Sequence, residues 1–265
     1  RGRFAPSPTG PLHAGSVMAA LASYLDAKAN NGLWLLRMED LDPPRESKQA
    51  ASDILLTLEQ LGLHWDESVL YQSTRHAAYD AALAQLHQGS HTYYCTCTRQ
   101  SLSGTDGHYP GTCRHLKLAS GAGKALRCRV YQEQSRFRDR LQGDYSQQLE
   151  LAAGDFILKR KDGLHAYQLA VVVDDAWQQI THVVRGIDLL ESTPRQIHLQ
   201  HLLNLTTPDY AHIPVLTNEQ DQKLSKQNYA AAVATTSPSK VLVQALARLQ
   251  QNPDPALMQA DTETV

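Results

Sequence analysis

Residues 3–16 read RFAPSPTGPLHAGS, and they carry the strongest structural signal in the chain. A short strand is predicted at Gly2–Ala5, and the prolines and glycine that follow it predict a rigid loop. An alanine-rich helix is predicted at His13–Asn30, closed by Asn31 and Gly32. This order places a helix N-terminus, which attracts phosphate groups, beyond the carboxyl end of a strand.

The elements after this segment continue to alternate between strand and helix. A buried strand is predicted at Leu33–Met38, and it ends in the acidic turn at residues 39–44. Helices are predicted at Glu46–Leu61, with Gly62 as the C-cap, and at His76–Gln88. This rhythm is typical of a parallel α/β sheet.

The alternation stops at about Thr92. From there to Gly123 the sequence is rich in Cys, Gly, Ser and Thr, which predicts a small inserted unit. Further strands are predicted at 126–131, 156–159 and 214–216. Apolar runs occur at 169–173 and 180–184, and a strand is also predicted to contain Val172–Asp175. Further helices are predicted at 193–203 and 239–251.

The composition is that of an ordinary globular protein. Of 265 residues, 42% are hydrophobic and 20% charged, and the net charge is −2, so any RNA contact must use local patches. No apolar run approaches the ~18 residues of a membrane span. The start lacks both a methionine and a signal peptide, so we expect a trimmed N-terminus. The four cysteines do not resemble a disulfide scaffold, which favours a cytoplasmic protein.

A second segment, KLSK at residues 223–226, complements the first. His13 can donate a hydrogen bond to a phosphate oxygen from the positive end of a helix. Gly15 has no Cβ, so a flat adenine can lie against the backbone. Lys223 and Lys226 supply positive charge for the phosphates of ATP on a loop that can close. Either segment alone is a weak signal, but together and in this order they predict an ATP-dependent enzyme.

The two segments resemble the HIGH and KMSKS signatures of class I aminoacyl-tRNA synthetases. Further motifs narrow the resemblance to the glutamyl branch: RFAPSPTG at 3–10, RMEDLD at 37–42, VVDD at 172–175, VRG at 184–186 and STPRQ at 192–196. The resemblance implies a Rossmann-like α/β catalytic domain and a ligase that converts ATP to AMP and pyrophosphate. The implied partners are ATP with Mg²⁺, L-glutamate and a tRNA.

The resemblance also carries site residues onto this chain. The implied ATP-binding residues are Pro8, His13, Gly15, Ser16 and Lys226, and the implied glutamate-binding residues are Arg3, Ala5, Ser7, Glu39, Tyr167 and Arg185. The planar fork of arginine suits the carboxylates of glutamate, and Glu39 suits its ammonium group. The catalytic roles fall to His13, Lys223 and Lys226. These groups stabilise charge, and no general base is needed because the attacking carboxylate is already ionised.

Three cysteines predict a metal site, because thiolates favour Zn²⁺ and structural zinc takes four ligands. Cys95, Cys97 and Cys113 supply three of them, although C-x-C is tighter than the usual spacing. The residues alone leave the fourth ligand open among His108, Tyr109, His115 and Cys128, and Cys128 lies in a predicted strand. The family resemblance selects Tyr109. We expect one structural Zn²⁺.

The resemblance divides the chain into four segments. We expect half of the catalytic domain at 1–91, an inserted zinc-binding subdomain for the acceptor end at 92–160, the second half at 161–217, and at 218–265 a KMSKS-type loop with a helical stem remnant. No anticodon-binding domain is expected, because only about 40 residues follow the lysines and such domains need more. We expect a monomer.

The short segment after the lysines and the sequence KLSKQN at 223–228 resemble those of a short paralog of glutamyl-tRNA synthetase. That paralog attaches glutamate to queuosine at the wobble position of tRNA(Asp), and it activates glutamate without tRNA. The alternative is a catalytic fragment of a glutamyl-tRNA synthetase that charges the 3′ end of tRNA(Glu). A non-catalytic synthetase-like protein is disfavoured because both signatures are intact. Basic residues at 124–140 and 159–161 are either RNA contacts or a solvated face.

Overall fold

The chain folds as two units, each assembled from segments that are distant in the sequence. The computed structural model describes residues 1–98, 100–104, 108–131, 134–216, 233 and 236–265. The first unit comprises residues 1–73, 180–190 and 209–265, and the second comprises residues 74–179 and 191–208. The predicted division into four segments stays a prediction.

Ten strands and seven α-helices make up the regular structure of the described ranges. The strands are β1 (Gly2–Phe4), β2 (Trp34–Met38), β3 (Leu70–Tyr71), β4 (Thr92–Cys95), β5 (Ala125–Cys128), β6 (Gln134–Asp139), β7 (Gly143–Gln148), β8 (Ile157–Lys159), β9 (His182–Gly186) and β10 (Asp209–Ile213). The helices are α1 (Ala14–Ala29), α2 (Lys48–Gln60), α3 (His76–Gln88), α4 (Leu149–Ala152), α5 (Tyr167–Trp177), α6 (Thr193–Leu202) and α7 (Pro238–Arg248). None of these helices combines the length and hydropathy that a membrane crossing requires.

The first unit is built on parallel strands. β1 pairs with β2 and β2 with β3, and β9 pairs with β10, all in parallel. The carbonyl of Arg1 accepts hydrogen bonds from the backbone N–H groups of Thr181 and His182, so β9 starts beside β1. The carboxyl ends of these strands therefore share one edge, where parallel sheets place their ligands.

The core of the first unit holds that edge in position. All five residues of β2 are buried, and its apolar side chains pack with Met18 of α1 and with Ile54 and Leu58 of α2. Trp34 stacks on Phe4, and its indole N–H donates to Ser23 Oγ at 2.9 Å. A buried indole N–H needs such an acceptor, so α1 is fixed against the strands by a specific contact as well as by apolar burial.

The second unit contains an antiparallel sheet ordered β4-β5-β8, together with a hairpin of β6 and β7. The hairpin was not predicted. Its strands are polar and show only partly buried or exposed positions along most of their length. The turn signal is nevertheless present: Asp139 Oδ1 accepts from the N–H groups of Leu141 and Gln142, and Gly143 has a φ of 79°.

The prediction of a strand containing Val172–Asp175 is wrong, because these residues lie in helix α5. A short apolar run does not distinguish a buried strand from a buried helix, and here Leu169 to Val172 are buried within the helix. Within this helix Asp174 is fully buried, and it accepts hydrogen bonds from Tyr79 of α3 at 2.7 Å and from Arg75 at 2.8 Å.

The prediction of a strand at residues 214–216 is also wrong. The strand lies just before, at Asp209–Ile213, and residues 214–216 have no regular structure. Pro214 explains the boundary, because proline has no backbone N–H to donate to a neighbouring strand. The predicted first residues of helices α1, α2, α3 and α6 are confirmed to within two residues.

Candidate active site and metal centre

His13 lies at the N-terminus of α1 and caps it. Its backbone is extended, and its Nδ1 accepts a hydrogen bond from the N–H of Ser16 at 3.2 Å. Because Nδ1 is an acceptor in this bond, the ring proton of the neutral imidazole is on Nε2, which lies 3.1 Å from Ser16 Oγ. The half-buried ring therefore presents an N–H donor at the positive end of a helix.

Gly15 lies against this imidazole. A Cβ at position 15 would lie 3.2 Å from both Nδ1 and Cε1 of His13, closer than side chains normally approach. Gly15 is therefore required for the position of the His13 ring, in addition to the predicted contact with adenine.

We expect Gly15→Ala to lower the rate of the ATP-dependent step about tenfold without lowering the melting temperature. Alanine favours the helix by about 0.5–1 kcal/mol over glycine, while its methyl group displaces the imidazole by a few tenths of an ångström. Kinetics and thermal unfolding of the same preparation check this. Gly2→Ala is unsuitable as a control, since its Cβ would lie 3.2 Å from Ala27 Cβ. In Gly121→Ala the added Cβ would meet only the end of the Lys124 side chain, at 3.8 Å, so this variant is the control. Wild-type rates in Gly15→Ala would contradict the expectation.

The loop between β1 and α1 is tied to the acidic turn after β2. The carbonyl of Pro6 accepts from the N–H of Glu39 at 3.0 Å, and that of Pro8 from the N–H of Ser47 at 3.1 Å. Pro8 is buried, whereas Ala5 and Ser7 lie at or near the surface of the loop. These bonds hold the loop that carries Ala5 and Ser7 against the backbone of the turn that begins at Glu39. The roles of Ala5, Ser7 and Glu39 in a common pocket stay predictions.

Two predicted pocket residues of the first unit, Arg3 in the middle of β1 and Arg185 near the end of β9, are buried, with 4% and 5% of their surface exposed. Glu39 is also largely buried, and its Oε1 lies 3.5 Å from a guanidinium nitrogen of Arg37. Arg185 donates from Nε to His212 Nε2 at 3.0 Å. Neither Arg37 nor His212 was predicted as a site residue. Arg37 lies in the RMEDLD motif, but no role was assigned to it, and His212 is a lone histidine within a strand and carries no motif.

The remaining predicted residues lie elsewhere. Tyr167 is the first residue of α5, in the second unit, and it is half-buried. Lys223 and Lys226 fall outside the residues that the structure describes. Their roles, like that of Tyr167, stay predictions.

Cys95, Cys97 and Cys113 form the metal-binding candidate among the described residues, and their sulfur atoms lie within 4.8 Å of one another. Cys97 Sγ and Cys113 Sγ are 3.6 Å apart, close to the ~3.8 Å expected between two sulfurs of a tetrahedral zinc site. The hydroxyl of Tyr109 lies 3.3 Å from Cys95 Sγ and 3.6 Å from Cys97 Sγ. The donor set therefore fits zinc.

The alternative fourth ligands are directed elsewhere. His108 Nε2 contacts the carbonyl of Glu150 at 3.0 Å, and Cys128 Sγ contacts the carbonyl of Arg129. Cys128 is fully buried in β5, as expected for a core cysteine, and burial raises the pKa of its thiol. His115 is exposed. Among the four candidates, only Tyr109 lies with the three thiols.

The thiols have unequal affinities for their protons. Burial raises the pKa of Cys97. Burial also opposes ionisation of Cys113, but hydrogen bonds from the Thr96 backbone, Tyr109 and Cys97 lower its pKa to about 6. Cys113 is therefore a thiolate at neutral pH, which is the form that binds metal.

Two of the basic residues between positions 124 and 140 have partners within the protein. The Arg127 guanidinium lies 3.6 Å from the centre of the Tyr109 ring and donates to the carbonyl of Asp155. Arg129 lies over the ring of Tyr93 and donates to the carbonyl of Arg114. Both arginines therefore pack on tyrosines that belong to the same buried cluster as Cys95 and Cys113. Asp155, which accepts from Tyr93, Arg114 and the Val130 backbone, completes this layer.

With the fold and these sites described, relatives can be compared. Residues 1–252 match the family described as tRNA synthetases class I (E and Q), catalytic domain. Because the match covers most of the sequence, this chain belongs to that family of class I synthetases. The prediction of an α/β catalytic domain from a synthetase-type ligase is confirmed at this level.

Curated relatives narrow the relationship. The chain is 51% identical over 264 residues to a glutamyl-Q tRNA(Asp) synthetase of Pseudomonas entomophila (strain L48), covering 100% of this chain and 89% of that protein. It is 52% identical over 259 residues to a glutamyl-Q tRNA(Asp) synthetase of Chromobacterium violaceum, covering 96% and 87%. The predicted resemblance to the short glutamyl paralog is confirmed.

A solved structure shares the fold. A glutamate tRNA ligase from Elizabethkingia meningosepticum, crystallised in complex with its amino acid, aligns with a TM-score of 0.74 and 28% identity. The alignment covers 85% of this chain and 51% of the ligase, so the chain spans about half the length of that enzyme.

Proposed function

We propose that this chain activates L-glutamate with ATP and transfers it to queuosine in the anticodon loop of tRNA(Asp). The observation that carries the proposal is the identity of about half of all residues, along the whole chain, with relatives named glutamyl-Q tRNA(Asp) synthetase. The His13 cap of α1 and the buried arginines of β1 and β9 supply chemistry that suits it.

In the first step the α-carboxylate of glutamate attacks the α-phosphorus of ATP. A P–O bond forms to the carboxylate, the bond to the β-phosphate bridging oxygen breaks, and pyrophosphate leaves with Mg²⁺. The His13 Nε2–H and the N-terminus of α1 stabilise the negative charge on the α-phosphate oxygens. Lys223 and Lys226 serve the same purpose on the phosphates, and Pro8, Gly15 and Ser16 shape the nucleotide site.

Selection of glutamate rests on charge. Arg3 and Arg185 are buried cations that suit the carboxylates, and Glu39 suits the ammonium group. Ala5, Ser7 and Tyr167 keep the role in glutamate binding that the family resemblance implies for them. In the second step a hydroxyl of the queuosine cyclopentene ring attacks the activated carbonyl, and AMP leaves.

We also propose one structural Zn²⁺ held by Cys95, Cys97, Tyr109 and Cys113. These ligands come from β4 and from the segment that follows it, so a bound zinc would order this part of the second unit. The protein works as a cytoplasmic monomer.

Transfer of labelled glutamate to three purified RNAs tests the proposal: tRNA(Asp) with queuosine, tRNA(Asp) without it, and tRNA(Glu). We expect label on the queuosine-bearing tRNA(Asp) alone. Label on tRNA(Glu) would instead support charging of a 3′ end. Glutamate-dependent pyrophosphate exchange with no label on any RNA would leave the activation step right and the acceptor wrong.

A further inference from the structure

Two surface clefts of the second unit join into one groove. The first cleft has a volume of about 410 Å³ and lies between α3, the segment that leads into β5 and the turn after β8. The second has a volume of about 320 Å³ and lies between β4 and the segment at 117–120. Both clefts are lined by His87, Tyr94 and Ser120, so they are continuous, and Tyr94 lies where they meet.

The lining of this groove combines apolar side chains with an aromatic ring. Leu83 of α3 and Leu126 of β5 line the first cleft, and Leu118 lines the second. Tyr94 is the one residue of β4 that is only partly buried, and the centre of the His87 ring lies 6.1 Å from the centre of its ring. Because a nucleobase buries apolar surface and stacks on aromatic rings, this lining suits a base.

The carboxylates in and beside the first cleft are paired with cations. Asp80 Oδ1 lies 2.9 Å from Lys159 Nζ and 2.9 Å from His165 Nε2. Asp162, in the turn after β8, lies 2.6 Å from a guanidinium nitrogen of Arg160. These carboxylates therefore balance Lys159 and Arg160, and the remaining charge of the groove comes from other side chains.

Lys117, Lys124 and Lys161 supply that charge. Lys161 Nζ donates to the carbonyl of Thr96 at 2.6 Å, and Lys124 Nζ donates to the carbonyl of Ala119 at 2.7 Å. A carbonyl orients an ammonium group without cancelling its charge, and an ammonium has three N–H donors, so both groups can also bind a phosphate. Lys117 is exposed in the second cleft. Within the described ranges, none of the three lysines forms an ion pair with a carboxylate.

We propose that this groove binds a single-stranded segment of RNA, with phosphates at Lys117, Lys124 and Lys161 and a base stacked on Tyr94. The whole chain has a net charge of −2, so the positive charge of the groove is a local feature that complements a polyanion. An acidic peptide would use the charge but not the aromatic lining. In duplex RNA the bases are stacked inside the helix, so only unpaired bases can reach Tyr94.

The proposal rests on the proposed function, in which the substrate is the anticodon loop of a tRNA. Such a loop supplies both unpaired bases and a continuous run of phosphates. The groove therefore assigns a binding surface in the second unit to the RNA, in addition to the chemistry expected at the strand ends of the first unit.

Binding of queuosine-bearing tRNA(Asp), measured by fluorescence anisotropy at several KCl concentrations, tests the three charges. We expect Lys124→Gln and Lys161→Gln each to raise the Kd about three- to tenfold and to lower the slope of log Kd against log salt concentration by about 0.7, the value for one phosphate contact with a single strand. Lys240→Gln is the matched control, since Lys240 is an exposed lysine on α7 of the first unit, and it should bind as wild type does.

Stacking is tested separately at Tyr94. We expect Tyr94→Leu to raise the Kd about tenfold without a change in the salt slope, and Tyr94→Phe, which keeps the ring, to stay within about twofold of wild type. Melting temperatures show whether each variant is folded. If Tyr94→Leu does not fold, the two lysine variants still decide, because their side chains lie at the surface.

Wild-type affinity and salt slope in both lysine variants would overturn the proposal. So would displacement of the tRNA by a decapeptide of glutamate as readily as by a ten-nucleotide uridine RNA, because the groove would then recognise charge alone. If the wild type transfers glutamate to tRNA(Asp) while the lysine variants bind that tRNA normally, the groove is wrong and the proposed function stands. A wild type that binds no RNA would refute both.

Discussion

Replacing His13 with asparagine is expected to lower glutamate-dependent pyrophosphate exchange about 100-fold while leaving the melting temperature unchanged. Two functions of His13 are separated by this substitution. The imidazole caps α1 through Nδ1, and it presents Nε2–H as a donor. Asparagine is among the best N-cap residues but has no group at the position of Nε2, so it keeps the first function and removes the second.

His13→Ala completes the comparison, because it removes both functions. We expect the same loss of rate as in His13→Asn, together with a loss of about 1 kcal/mol of unfolding free energy from the missing cap. His64→Asn, at an exposed position after α2, is the matched control and should behave as wild type. If His13→Asn exchanges pyrophosphate within about threefold of wild type, Nε2–H is not the donor to the phosphate.

The fold around the candidate nucleotide site was predictable because its sequence signals are local. The N-terminus of α1 follows from a helix period preceded by prolines and a capping side chain, and the strands on either side are short and apolar. Where burial is determined by distant partners, the prediction fails. The apolar run at 169–172 looks alike in a strand or a helix, and only the contacts of Asp174 with Arg75 and Tyr79 reveal α5.

The candidate site shows the same contrast between local sequence signals and contacts that depend on distant residues. The cysteine spacing predicts three metal ligands, but Tyr109 comes from the family resemblance, since no chemical preference favours a phenol over a histidine. His212 carries no motif at all. Its place opposite Arg185 depends on the register of β9 and β10, which pairs residues from separate stretches of sequence. A polar residue in a buried strand was the available signal, and it does not identify its partner.

The second large effect that we expect is the loss of folded structure around the proposed zinc site when zinc is removed. Among the residues that the structure describes, the buried apolar cluster around the thiols comprises Tyr93, Cys95, Tyr109 and Cys113, and Cys97, Leu102 and Leu118 pack against it. So few apolar side chains bury little surface, and a structural zinc contributes folding free energy where a core is small. Removing zinc should therefore unfold this part of the second unit and leave the parallel strands of the first unit intact.

Cys97→Ala tests this most cleanly, because Cys97 is the least buried of the three thiols and its loss disturbs packing least. We expect purified wild type to contain one zinc per chain, and Cys97→Ala to bind zinc about 100-fold more weakly, since one of four ligands carries about 3 kcal/mol. Chelator competition measures the affinity, and hydrogen exchange locates the loosened segment. Cys128→Ala is the control: it also removes a thiol, but one outside the cluster, and should keep its zinc. Equal zinc content in the two variants would contradict the assignment of Cys97, and Tyr109→Phe then distinguishes a phenol ligand from three thiolates and water.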